Sequence, residues 1–183
     1  MIPHREQCYR LMEEYKMLPN IVAHSKLVHR VALTLVRHLN RNGCGLDETL
    51  VEAGALLHDI TKTQAIKTGE NHSETGAALL QELGFPQVAE VVAQHVRVDN
   101  GNGANSKVTE AEVVNYADKR VMHDRLVDIT QRFRDIQKRY GTTLERVERI
   151  MRTEEETRQI EEKLFARLAI SPGDVERLIH EKN

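Results

Sequence analysis

The chain has 183 residues, with 26 Lys plus Arg against 28 Asp plus Glu, a formal net charge of −2, and 40% hydrophobic but only 4% aromatic side chains. That length suits one domain with a sizeable core, and the near-neutral balance argues against binding nucleic acid or an anionic membrane, which both require clustered positive charge. Two cysteines make no disulfide framework, no apolar run approaches a membrane span and no basic start leads into an apolar leader, so a reduced, cytoplasmic setting is the default expectation.

A helical period runs through every long segment, and no stretch alternates apolar with polar residues long enough for a strand. The predicted class is all-α, a single-domain helical bundle. The first helix is expected over 4–17 and carries Cys8; the second, over 24–40, has His24 heading a row with Val28, Val31 and Leu35. Beyond the Gly-Cys-Gly turn at Cys44, Asp47 is an N-cap for a helix over 47–60, where Leu50, Gly54 and Leu57 lead to His58 and then Asp59. The next helix, 72–84, begins a row at His72 that continues through Gly76, Leu79 and Leu83. Pro86 opens another over 86–98, in which Val88, Val91 and Val92 lead to His95.

Residues 99–106, Asp-Asn-Gly-Asn-Gly-Ala-Asn-Ser, are too polar and glycine-rich to pack. They are expected to form a mobile loop near His95, either a substrate lid or a plain connector. A helix over 108–122 sets Asp118 between Val114 and Val121. Helices over 124–140, 143–168 and 172–181, the last with Pro172 in its first turn, complete a C-terminal extension over 123–183. It holds 13 of the basic and 13 of the acidic side chains. Its sparse stripe of Val147, Ile150, Leu164 and Leu168 is expected to pack on the rest of the domain or on a second copy, as a homodimer through the C-terminal helices. Glu154, Glu155 and Glu156 read as a solvated face.

Four histidines and two aspartates therefore fall on the inward rows of five helices. Singly, each has an ordinary explanation: a satisfied core histidine, or an aspartate in the turn after a helix. Asp118 is harder to place, because a buried carboxylate without a partner costs several kcal/mol and no cation one turn before it offers a pair. The six cannot all satisfy one another, whereas a divalent cation satisfies them together. Six N/O ligands exceed one tetrahedral site and match two metals sharing a carboxylate, and the lack of thiolate favours iron, manganese or zinc. The remaining histidines, His4, His29, His38, His123 and His180, fall off these rows and are expected at the surface, and Cys8 and Cys44 are read as structural or incidental.

His24-Ser25, the run Gly54-Ala55-Leu56-Leu57-His58-Asp59-Ile60-Thr61-Lys62 and Ala117-Asp118-Lys119 together resemble the H…HD…D pattern of the HD-domain metal-dependent phosphohydrolase superfamily. The likeness covers residues 20–122 and includes HDxxK. Thr61 stands where the HDIG form of the signature has glycine, a position that is not a ligand. His72-Ser73-Glu74-Thr75-Gly76-Ala77 and His95 resemble the further elements of the branch that carries two metals. The resemblance implies that His24, His58, Asp59 and Asp118 hold a first metal, and that Asp59 bridges to a second held by His72 and His95. No GYP element follows, and residues 123–183 match no functional element.

The implied activity is hydrolysis of a phosphate ester or anhydride in a nucleotide or another small phosphorylated metabolite, by a hydroxide bridging the two cations. Asp59 and Lys62 are the expected catalytic residues, with Lys62, Arg97 and Lys119 as candidate partners for substrate charge. Within the superfamily, the ligand set resembles the branch that splits diadenosine tetraphosphate symmetrically. HD-fold di-iron oxygenases use the same arrangement and stand as the alternative, and a non-catalytic HD signalling module is a third reading.

Overall fold

A computed structural model describes residues 1–98 and 107–180; the segment expected to be a lid, 99–106, lies outside the described residues. The fold is all-α, with one two-stranded ribbon among the described residues. The helices are α1 (Arg5–Glu14), α2 (Pro19–Arg41), α3 (Glu48–Leu57), α4 (Lys62–Thr68), α5 (His72–Glu82), α6 (Pro86–Ala93), α7 (Glu110–Lys119), α8 (Ile129–Tyr140), α9 (Leu144–Phe165) and α10 (Val175–Leu178). The strands are β1 (Val121–Met122) and β2 (Arg125–Leu126), and a 3₁₀ turn, Pro172–Asp174, leads into α10. Among the described residues no helix is long and apolar enough to cross a membrane.

Local chemistry explains where the elements start and stop. α2 begins five residues before the expected start, because Pro19 takes the first helical position, where its missing N–H is no loss. Asp47 caps α3, its carboxylate accepting from the Thr49 and Leu50 amides. The predicted helix over 47–60 stops at Leu57, and the chain restarts as the unforeseen α4, which Gly69 closes at φ 79°. The predicted helix over 124–140 also begins late. Residues 121–126 form an antiparallel hairpin pairing Val121 with Leu126 and Met122 with Arg125, with His123 at φ 60° in its turn. α8 starts only after Asp128, which forms a reciprocal capping box with Gln131.

Two apolar cores lie side by side. One joins α2, α7, α9 and α10 around Val28, Leu35, Val114, Tyr116 and Leu164; the other joins α1, α3, α5 and α6 around Cys8, Leu56, Leu80 and Val88. α3 serves both, sending Val51 and Ala55 into the first and Ala53, Leu56 and Leu57 into the second. The turn after α3 therefore lies where the cores meet. Within the C-terminal stripe Leu164 is fully buried, with Ile150 and Leu168 partly buried against the first core, so these positions pack within the chain. A buried ion pair, Lys163 Nζ to Glu112 Oε1 at 2.6 Å, fastens α9 to α7. Glu154 and Glu156 are not merely solvated: they pair with Arg158 and Arg97.

Candidate metal centre

The six inward side chains meet at helix ends. His58 and Asp59 follow the last residue of α3, His72 is the first residue of α5, His95 comes two residues after α6, and Asp118 is the penultimate residue of α7; only His24, in α2, lies well inside a helix. The last carbonyls of a helix have no intrahelical partner, and two of them orient the rings. His58 Nδ1 donates to Ala55 O at 2.8 Å and His95 Nδ1 donates to Val92 O at 2.6 Å. His24 Nδ1 donates to His123 O, in the hairpin turn, at 3.1 Å. A carbonyl only accepts, so each Nδ1 carries a proton, and each Nε2 faces inward, where with no second proton it offers a lone pair to a cation.

Two trios result. His24, His58 and Asp118 bring their ligand atoms within 4.8 Å of one another, as do Asp59, His72 and His95. In the first, Asp118 Oδ1 lies 3.0 Å from His24 Nε2 and 3.8 Å from His58 Nε2. In the second, Asp59 Oδ1 lies 3.2 Å from His72 Nε2 and 3.6 Å from His95 Nε2. The other oxygen of Asp59, Oδ2, faces back to His58 Nε2 at 3.5 Å, so one carboxylate addresses both trios.

The centre fits cations on its own chemistry. His58 is fully buried, yet among the described residues its Nε2 has no hydrogen-bond partner, a costly state for a ring nitrogen at that depth. The Nε2 atoms of His72 and His95 face each other at 3.1 Å. The C-terminal ends of α3 and α6, where the helix dipole favours positive charge, both stop here.

The fields are strong. Burial opposes ionisation of Asp59, but His58 and Lys62 outweigh it and hold the carboxyl well below its ordinary range. Asp118 is likewise held well down against burial, by Lys119 first and then His24. Burial pushes His95 down to about 4, whereas for His58 the two aspartates overcome burial and raise it.

The candidate substrate residues separate. Lys62 Nζ stands 3.1 Å from Asp59 Oδ2 with about a third of its side chain exposed (32%), and it lines the cavity over the centre. Lys119 borders the same cavity but is buried, donating to Asp118 Oδ2 and to His95 O, both at 2.8 Å. It supplies the pairing for Asp118 that one-turn spacing does not, since the partner is the adjacent residue. Arg97 is not brought to the centre: it is 66% exposed and pairs with Glu156 of α9. Of the histidines expected at the surface, His29 is instead buried, 2.9 Å from Glu52. His123 is exposed, and its part in the centre is played by its backbone carbonyl, which no side-chain pattern announces.

The family model of the HD domain matches residues 21–123, a span containing all six side chains. The chain belongs to the HD-domain family. HD domains bind divalent metals, and the two trios are candidate ligand clusters for them. The chain is similar to a tRNA (cytidine(56)-2'-O)-methyltransferase of Thermoplasma volcanium, 33% identical over 97 residues, covering 52% of this chain and 27% of that protein. It is also similar to the uncharacterized protein MJ0778 of Methanocaldococcus jannaschii, 27% identical over 148 residues, covering 72% and 84%. A tRNA (cytidine(56)-2'-O)-methyltransferase of Picrophilus torridus is 26% identical over 146 residues, covering 71% and 40%. The chain thus spans about a quarter and two-fifths of the two methyltransferases. No solved structure matches it.

Proposed function

We propose that this HD domain is a metal-dependent phosphohydrolase acting on a nucleotide or other small phosphorylated metabolite, with two divalent cations of iron, manganese or zinc held by His24, His58, Asp59, His72, His95 and Asp118. The observation that carries the reading is the Nε2 of His58, buried between Asp59 and Asp118 and without a hydrogen-bond partner among the described residues. The two oxygens of Asp59, each facing a different trio, support a shared-ligand role. Bound there, such cations supply Lewis acidity that makes water nucleophilic near neutral pH and neutralises phosphoryl oxygens.

The chain's own residues do the rest. The backbone bonds to Nδ1 of His24, His58 and His95 hold each ring in one tautomer and one orientation. Lys119 braces Asp118 against the carbonyl of His95 and so ties the two trios together. Lys62, beside Asp59 and partly open to the cavity, offers a cation to the charge that grows on a phosphoryl group. The methyl transfer named for two relatives is not carried over, because the chain matches only 27% and 40% of their lengths. A phosphate-release screen over nucleotides and sugar phosphates tests the reading, on protein purified anaerobically and loaded with Mn²⁺, Fe²⁺ or Zn²⁺. Release that needs metal and is lost in Asp59→Asn is expected. Oxygen uptake without phosphate release would replace it with the oxygenase reading.

A further inference from the structure

A cavity of about 730 Å³ opens over the two trios, within the range of small-molecule sites. One wall is the ligand set. The facing wall comes from the C-terminal extension: Phe133, Ile136 and Tyr140 of α8, Ile150 of α9, and three arginines, Arg132, Arg139 and Arg149.

The arginines are not equivalent. Arg139 is held by Asp135 at 3.1 Å and lies 2.6 Å from His123 Nε2, and Arg149 is 66% exposed beside Glu145. Arg132 is only 15% exposed, and its Nε is buried without a hydrogen-bond partner among the described residues. Its terminal nitrogens stand 3.7 Å from Asp135 and 4.0 Å from Asp118, beyond hydrogen-bond reach. A guanidinium is a planar fork of donors, and two carboxylates within ion-pair range but none in hydrogen-bond contact leave that fork open to a further anion. Neither carboxylate closes on it: the oxygens of Asp118 already face His24 and Lys119 at 3.0 and 2.8 Å, and Asp135 Oδ2, itself buried without a hydrogen-bond partner among the described residues, stays 3.7 Å away while its Oδ1 takes Arg139. The cavity remains, and the ligand that suits it has several oxygens at the metal side.

Much of the rest of that cavity's lining is apolar, among polar side chains such as Glu70, Asp124 and Thr153. Ile136 and Ile150 line it, with Ile66 and Tyr140 at 67% and 55% exposure and no apolar cover. An inorganic phosphate would leave these side chains in water, whereas a flat organic group attached to the phosphoryl would cover them.

We propose that Arg132 is the anion-recognising residue of this centre. The α8–α9 wall then selects phosphate monoesters with a bulky, partly apolar body, the class to which nucleoside monophosphates belong. The proposal rests on the phosphohydrolase reading and deepens it, giving the C-terminal extension a role in recognition.

Two hydrolysis-resistant probes test it by calorimetry on the metal-loaded full chain. Methylphosphonate and phenylphosphonate carry the same anionic head on a small or an aromatic body. Phenylphosphonate is expected to bind at least about tenfold tighter, and Ile150→Ser to shrink that preference without touching methylphosphonate. Arg132→Gln should weaken both probes by a similar factor, about tenfold to a hundredfold, with metal content and Tm unchanged. Arg132→Lys, which keeps the charge without the fork, should fall between, and carries the test should the glutamine variant not fold. Unchanged affinities in the Arg132 variants would overturn the proposal. So would variants that shed metal, since Arg132 would then be a brace for Asp118. Equal affinity for the two probes would overturn the apolar wall. Failure of the fully metal-loaded wild type to bind either probe would instead sink the phosphohydrolase reading itself.

Discussion

Gly54 lies on α3 one turn before His58, where α3 presses on α6. A Cβ there would come within 2.6 Å of Val91 Cγ1 and 3.5 Å of Val114 Cγ2. Ordinary carbon contacts are roughly 3.5–4.0 Å, so about 1 Å must be found at Val91. Valine in a helix is nearly confined to one rotamer, so the side chain cannot swing away and α6 must move. Overpacking of this kind costs about 1–3 kcal/mol, which for a chain of this size lowers Tm by roughly 2–12 °C. The displacement has a functional signature, because α6 delivers His95 two residues after its end while α3 delivers His58 and Asp59. Gly54→Ala should therefore melt earlier in a thermal scan and, by metal analysis, bind the second cation more weakly than the first. Removing the obstacle should reverse part of this: Gly54→Ala with Val91→Ala should melt above Gly54→Ala alone, although Val91→Ala leaves a cavity of its own. A Gly54→Ala protein with wild-type Tm and metal content, or a double variant no better than the single, would refute the reasoning.

Lys62→Met keeps the aliphatic stem and removes the cation, so kcat/KM on a verified substrate should fall about tenfold or more, with metal content and Tm nearly unchanged. Unchanged kinetics would leave Lys62 as no more than the ion-pair partner of Asp59. Acid stability should report the part-buried His29–Glu52 pair. Burial lowers His29 below 6.5, although Glu52 pulls the other way; burial raises Glu52, but its bonds to His29 and Arg5 outweigh that and bring it below 4.5. With both values depressed, the unfolded chain binds more protons, so the stabilisation is complete above about pH 6.5 and is lost as pH falls through the folded values. His29→Gln should flatten the decline of Tm just below pH 6.5, and a slope identical to wild type would refute it.

The inward direction of the six side chains is legible in the sequence because each lies three or four residues from apolar neighbours, a spacing that survives even where the helix stops short. What a period cannot show is where the helix stops. His58 and His95 read as helical residues but lie just past the ends of α3 and α6, where Ala55 O and Val92 O can accept from their rings. α4 carries no apolar stripe, having no buried residue, and the hairpin at 121–126 spans too few residues to show an alternation. The contribution of His123 is a backbone carbonyl, and backbone atoms leave no trace in residue identity. Arg97 sits two residues from His95 yet faces away, while Arg132 reaches the centre from α8; proximity in the chain misleads once a helix has ended.

The reading turns on whether the two trios hold cations, and metal stoichiometry answers that most directly. Full-length protein purified anaerobically, loaded with Mn²⁺ or Fe²⁺ and freed of excess should retain two metals per chain. Asp59→Asn, with Tm read alongside to establish folding, should lose both or nearly both, because each oxygen of that carboxylate faces a different trio. A folded wild type that retains no metal under any loading condition, or a folded Asp59→Asn that keeps two, would contradict it.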